Sequence, residues 1–223
     1  MAGFIDYNKT TKSKDYRGSG SFATFMIIGP TCFFLGILFA AFPYDYPLLW
    51  TKDPVTPEYY DQLETHLKFL HQSPPLIGRL LNIIVSVGFI GFFIKLFRPS
   101  EANFLFDGAS LILYFIGVAV YIANIVKGLR TVSSGIWDDP ANRISRDGEN
   151  PGETILGRDD SLKVLSASNT ILALVLVGVL VIQAGQWYAE KRDMDDDREE
   201  AEEAEKKEKE GSPSSKSATK KKQ

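Results

Sequence analysis

Cysteine is nearly absent: Cys32 is the only one among 223 residues, so no disulfide can form within the chain. That excludes a four-span protein whose outer loops are pinned by cysteine pairs. Histidine is almost as scarce. His66 and His71 stand five apart, on different sides of any helix, and read as ordinary loop residues with no zinc-ligand spacing. There is no phosphate-cradling glycine loop and no serine nucleophile elbow. The nearest approach to paired carboxylates is Asp138-Asp139 and Asp159-Asp160, in polar sequence without a histidine or arginine cluster, and these read as solvated turns. The expectation is therefore no enzyme, no metal, no cofactor and no nucleic-acid partner. A cleavable signal peptide is also missing. Residues 1–21 are polar and basic, and the apolar run after them is too long for a signal-peptide core, so it reads as an uncleaved anchor.

What the sequence does have is four long apolar stretches: Phe22–Phe42, Leu80–Ile94 (stretchable to Pro75–Phe97), Gly108–Val126 and Val164–Ala189. Crossing ~30 Å of hydrocarbon takes ~20 mostly apolar residues. Three stretches meet that length directly, and the second does so if Arg79 and Lys95 snorkel to the interfaces. Backbone groups in lipid must satisfy each other, so each stretch predicts a helix. The fold class is thus an all-α membrane protein of four transmembrane helices, with spans at about 22–42, 77–97, 108–126 and 164–188. A basic arm (1–21) precedes the membrane domain (22–189), and a charged tail (190–223), disordered or partly helical, follows it. Ionisable groups are missing from the interior of these stretches, which argues against a proton relay, ion pathway or voltage sensor. What remains is packing against lipid and against other membrane helices.

An even number of spans places both termini on one side. The Lys and Arg near span ends number eleven on that side and eight on the other. The eleven are four in the arm, then Lys95, Arg98, Lys191, Arg192, Arg198, Lys206 and Lys207. This excess predicts cytosolic termini.

Within the spans, small and polar residues stand out. Span one holds Pro30 and a small-residue row, Gly29, Gly36 and Ala40, suited to close helix approach. Pro43-Tyr44-Asp45-Tyr46-Pro47 follows it. The aromatic residues suit an interfacial belt, while two prolines around Asp45 predict a fixed turn. Thr56–His71 has weak helical spacing and suits the membrane surface. Span two carries Asn82, Ser86, Gly88 and Gly91. Span three is bracketed by Asp107 and Lys127, which complement a helix dipole, and holds Ser110 and Asn124. Span four carries Ser166, Ser168, Asn169, Thr170, Gln183 and Gln186, with Gly178 and Gly185 seven apart. Buried amides hydrogen-bond between membrane helices for ~0.6–2 kcal/mol each. They either hold this bundle together or offer contacts to a client helix. The loop Lys127–Lys163 is polar and reads as irregular.

The tail sorts its charge into blocks. Glu190–Glu205 has ten acids against three bases, and Lys206–Gln223 has seven lysines against two acids. The first block extends span four as a solvated helix, and the Ser-rich Gly211–Thr219 reads as disordered. Lys220 and Lys221 stand fourth and third from the end, the spacing of a dilysine retrieval signal to the endoplasmic reticulum.

These residues together resemble a known family, the fungal secretory-component chaperones of the endoplasmic reticulum membrane that package amino acid permeases. The resemblance is carried by Pro43-Tyr44-Asp45-Tyr46 with Leu48-Leu49, by Val87-Gly88-Phe89-Ile90-Gly91, and by Ser168-Asn169, Gly178-Val179, Ile182-Gln183, Gly185 and Trp187-Tyr188. It implies a membrane chaperone that keeps many-span permeases from aggregating. It also implies a cytosolic tail that helps recruit vesicle coat components. Tyr44, Asp45, Asn169 and Gln183 are then the expected client contacts, with Gly88 and Gly91 allowing close approach. The alternatives are a structural subunit of another four-span complex and, less favoured by the apolar interior, a small transporter.

Overall fold

The computed structural model describes residues 19–52, 54–97, 101–135, 137 and 157–211. Every regular element among them is helical: α1 Ser19–Leu49, α2 Pro57–His71, α3 Pro75–Leu96, α4 Glu101–Val120, a π-helical turn Tyr121–Val126, α5 Lys127–Ser134 and α6 Arg158–Gly211. Four segments are long and apolar enough to cross a membrane: Phe22–Leu49, Pro75–Leu96, Phe104–Ser134 and Arg158–Lys207. The long apolar runs cause this architecture, because a backbone in lipid has only its own helix to bond to.

Prolines set two of the helix starts. Pro57 and Pro75 sit in the first turns of α2 and α3, where a missing N–H removes nothing. Helix α2 also carries Glu58 in its first turn and Lys68 and His71 in its last, matching the dipole.

Inside α1 the prolines behave differently from the sequence expectation. Pro43 and Pro47 do not form a turn; α1 runs through both, as it does through Pro30, and ends at Leu49. Each proline removes one backbone donor from the helix, and packing holds the helical course. Leu48 is buried with Tyr60, Leu63, Val132 and Leu162, which clamps the last turns of α1 against α2, α5 and α6. At Pro30, the next side chain, Thr31, bonds the carbonyl of Ile27 at 2.7 Å.

The loop expected to be irregular is also corrected in part. Lys127–Ser134 is helical and continues span three through the π turn, ending at Gly135 with a φ of 62°. Only glycine takes that left-handed cap without strain. At the other end of the same loop, α6 begins at Arg158. Asp159 and Asp160 fall in its first turn, and Asp138-Asp139 lie outside the described residues.

Helix α1 packs on α3 and α6, α4 packs on α6 and α3, and α2 rests on α5. Two glycines permit the tight crossings. A side chain at Gly91 would come within 2.9 Å of the Ala23 carbonyl on α1. One at Gly88 would come within 2.7 Å of the Tyr114 ring on α4, whose hydroxyl donates to the Val85 carbonyl at 3.2 Å. The core at the centre of the bundle is formed by Ile27, Phe92, Tyr114, Leu172, Leu176 and Val179 among others. A cleft of ≈ 20 Å³ beside it, lined by Phe34, Val85, Tyr114, Tyr121, Leu172 and Leu176, has room for about one water and little to bond it. Helix α6 leaves the bundle without a break and carries the acidic block as a solvated rod to Gly211, about 80 Å in all at 1.5 Å per residue.

Candidate functional site

The bundle has two polar clusters, one at each end, tied together by α6.

The first lies where α1 ends and α6 begins. The Asn169 amide donates to the Asp45 carboxylate at 3.0 Å, and Ser166 bonds the same carboxylate. Asp45 is 6% exposed, so without these donors its ionised form would be costly. Helix α2 latches onto the same turn. The Tyr59 hydroxyl donates to the Tyr44 carbonyl at 2.8 Å, and the Tyr44 ring stacks on His66 at 4.3 Å between centroids. Burial, with the Asp45 and Tyr44 charges behind it, pushes the Tyr59 phenol above its ordinary value of 10.0, so it stays a donor at any physiological pH. On the outside, Arg158 bridges α6 to α2, pairing with Asp61 at 2.5 Å and with Glu64 at 2.8 Å.

The second cluster lies at the opposite end, where α3 ends and α4 begins. Lys95 does not snorkel into water. Its ammonium is 8% exposed and pairs with Asp107, fully buried, at 2.7 Å. Two further acceptors, Gln183 Oε1 and Gln186 Oε1, lie at 3.0 Å each. An ammonium has three protons, and three acceptors meet them. The amide groups of the same glutamines then close the carboxylate. Gln183 Nε2 donates to Asp107 Oδ1 at 2.9 Å and Ser110 Oγ at 3.1 Å, while Gln186 Nε2 donates to Asp107 Oδ2 at 3.0 Å and Glu190 Oε1 at 3.1 Å. The spacing i, i+3 puts both glutamines on one face of α6. Asp107 thus does not cap a helix, since α4 starts at Glu101. It is three residues inside the membrane-capable segment that begins at Phe104, about 5 Å.

This corrects the expectation of an interior free of ionisable groups, though only at its two ends. Both residues of the pair flank a short link between spans, where an interfacial position is the default reading. The signal that would have found them is the combination of opposite charges across that link with two glutamines three apart in span four.

The other flagged residues divide by facing. Ser168 is buried and bonds back to the Val164 carbonyl at 2.8 Å. Gly178 faces Leu113, where an added side-chain carbon would come within 2.7 Å, while over Gly185 the nearest atom is Phe106 Cε1 at 3.9 Å. Tyr44, Tyr46, Trp187 and Tyr188 are exposed near the span ends, and Pro43 is exposed on α1. The small-residue row of span one is not used within the bundle: a carbon added at Gly29 or Gly36 would meet no neighbouring atom of the described residues within 4 Å. Lys220 and Lys221, like Gly211–Thr219 beyond its first residue, lie outside the described residues. Among the described residues no group of three His, Cys, Asp or Glu side chains is arranged to hold a metal.

A family model described as ER membrane protein SH3, the SHR3 chaperone family, matches residues 18–223. No curated protein and no solved structure matches the chain.

Proposed function

The chain belongs to the SHR3 chaperone family of endoplasmic reticulum membrane proteins, and on that premise we propose that it shields the spans of newly inserted amino acid permeases and assists their packaging into coated vesicles. Unassembled permease helices expose polar and small residues that lipid cannot satisfy. A four-helix bundle that offers weak, replaceable contacts, each about 1 kcal/mol, can hold such a helix and release it without nucleotide. In this reading both termini are cytosolic, the acidic part of α6 and the lysines after it meet coat components, and Lys220 and Lys221 return the chaperone.

The observation that carries the reading is the family match, which covers all four spans and the tail. The bundle's chemistry supports it, since the buried ions and amides are bonded to one another and leave the outer helix surfaces for partners. Deleting the gene should leave permeases aggregated in the endoplasmic reticulum and reduce amino acid uptake. Normal permease levels at the cell surface in the deletion strain would end the proposal.

Asn169→Leu tests the role of the first cluster. It removes one of the two side-chain donors to the Asp45 carboxylate, leaving Ser166, and keeps span four apolar. Permease solubility should fall several-fold while the chaperone's own insertion, read by protease protection, stays unchanged. Equal loss of both would assign Asn169 to insertion alone.

A further inference from the structure

Beyond the bundle, α6 continues with nothing to pack on. Every residue from Asp195 to Lys207 is exposed, so only local forces keep this stretch helical. Glutamate, alanine, lysine and arginine favour a helix, and exposed pairs four apart add to that preference: Arg198 with Glu202 at 3.1 Å and Lys207 with Glu203 at 3.7 Å. Neither proline nor glycine occurs between Gly185 and Gly211, so the usual causes of a kink are missing. The charge along the stretch is ordered. Glu190–Glu205 has ten acids against three bases, and Lys206–Gln223 has seven lysines against two acids. Lys206, Lys207 and Lys209 fall within α6.

The root of the stretch is tied to the bundle. Trp187 and Tyr188, 53% and 64% exposed, mark the membrane interface. Two contacts fix the helix there as it leaves. Gln186 Nε2 donates both to Asp107 Oδ2 at 3.0 Å and to Glu190 Oε1 at 3.1 Å, so the first turn outside is joined to the buried ion pair. Lys191 lies over the Trp187 ring, its ammonium 5.3 Å from the ring centre. The helix therefore leaves the membrane along the direction of span four, with no hinge between them.

We propose that this part of α6 is a rigid stand-off, rooted by the Gln186–Glu190 tie, that keeps the lysine-rich segment after it away from the anionic membrane surface and open to a protein partner bearing acidic groups. The proposal rests on the cytosolic, coat-recruiting tail of the reading above. Acidic lipids of the cytosolic leaflet attract clustered lysines within a screening length, ~8 Å at physiological ionic strength. A flexible link would let the lysines settle there. Along the helix, Lys206 stands about 24 Å beyond Glu190, and a usual span tilt of about 20° shortens that only to about 22 Å. At close to three screening lengths the attraction is small. The acids act in the same direction, because the leaflet repels them and so holds the rod upright. The reverse order, bases first, would draw the helix down onto the membrane.

The full-length protein with an environment-sensitive fluorophore at position 215, in vesicles of phosphatidylcholine alone or with about 30% phosphatidylserine, tests the stand-off. Two variants carry equal charge and differ in stiffness. Glu199→Gln, Glu200→Gln, Glu202→Gln and Glu203→Gln together keep a helix, whereas glycine at each of 199–204 makes the same stretch flexible. The native protein and the glutamine variant should keep the fluorophore in water in both vesicles. The glycine variant should raise its membrane-bound fraction about five-fold, and only with phosphatidylserine. Binding by the native protein, or equal behaviour of the two variants, would overturn the stand-off. The root is read from the spin-label distance between positions 105 and 200, where Leu105 is 68% exposed. Its distribution should be narrow in the native protein, broad in Glu190→Ala, and narrow again in Glu190→Gln, whose amide oxygen still accepts from Gln186. An unchanged width in Glu190→Ala would overturn the tie. No client enters these measurements, so their failure leaves the chaperone reading standing. That reading fails separately, if permeases reach the surface normally in the deletion strain.

Discussion

The two ends of the bundle solve the same problem with different means. At the end with α2, one buried carboxylate, Asp45, is held by neutral donors on α6, and the surrounding turns are clamped by a surface helix through Tyr59 and Arg158. At the other end a full ion pair is buried, and two glutamines saturate both partners. A neutral clasp can lose one member and keep the rest bonded. A buried ion pair cannot, since removing either partner leaves a charge without compensation. Rigidity is therefore unequal. The Lys95–Asp107 end fixes three helices at the point where α6 leaves the bundle, while the Asp45 end buries a single charge and keeps its ion pairs at the surface.

The sharpest way to break this contrast is substitution of the ion pair. Lys95→Met or Asp107→Leu alone should destabilise the bundle by about 3–5 kcal/mol, seen as a large drop in the thermal aggregation temperature of the purified protein. The double variant should recover most of that loss, because a well-filled apolar pair replaces two buried charges. Next in size is Gly88→Val, which forces the Tyr114 ring out of its place and should cost about 1–3 kcal/mol, measured in the same assay. The smallest effect belongs to the α2 latch. Arg158→Ala removes a partly exposed pair and should cost about 0.2–1 kcal/mol, visible as faster proteolysis of α2 and not as loss of the bundle. The latch also has a pH dependence with a definite sign. With the Tyr59 phenol raised, its contribution is complete below pH 10.0 and is lost only as pH rises through the higher folded value.

Much of this was readable in the sequence. The four spans follow from the length of the apolar runs, and their order needs nothing else. Asp45, Asn169 and Gln183 stood out as polar residues in apolar surroundings, yet which of them meet depends on how antiparallel helices align. No local pattern gives that alignment: Asp45 and Asn169 are 124 residues apart and Lys95 and Gln183 are 88 apart. Pro43 and Pro47 read as a turn because proline breaks isolated helices, and the packing of Leu48 overrides that preference. Span two shows the same limit in another form. Its small residues were visible as a group, but only the fold sorts Gly88 and Gly91 inward and Gly78, Asn82 and Ser86 outward.

On the proposed function, the buried Lys95–Asp107 pair builds the bundle and the outer helix surfaces act on clients. Permease solubility in membranes carrying the Lys95→Met/Asp107→Leu double variant tests this most directly, with chaperone abundance matched to the native protein. Permeases should be as soluble as with the native chaperone. A stable double variant that leaves permeases aggregated would instead place the ion pair itself in the work on clients.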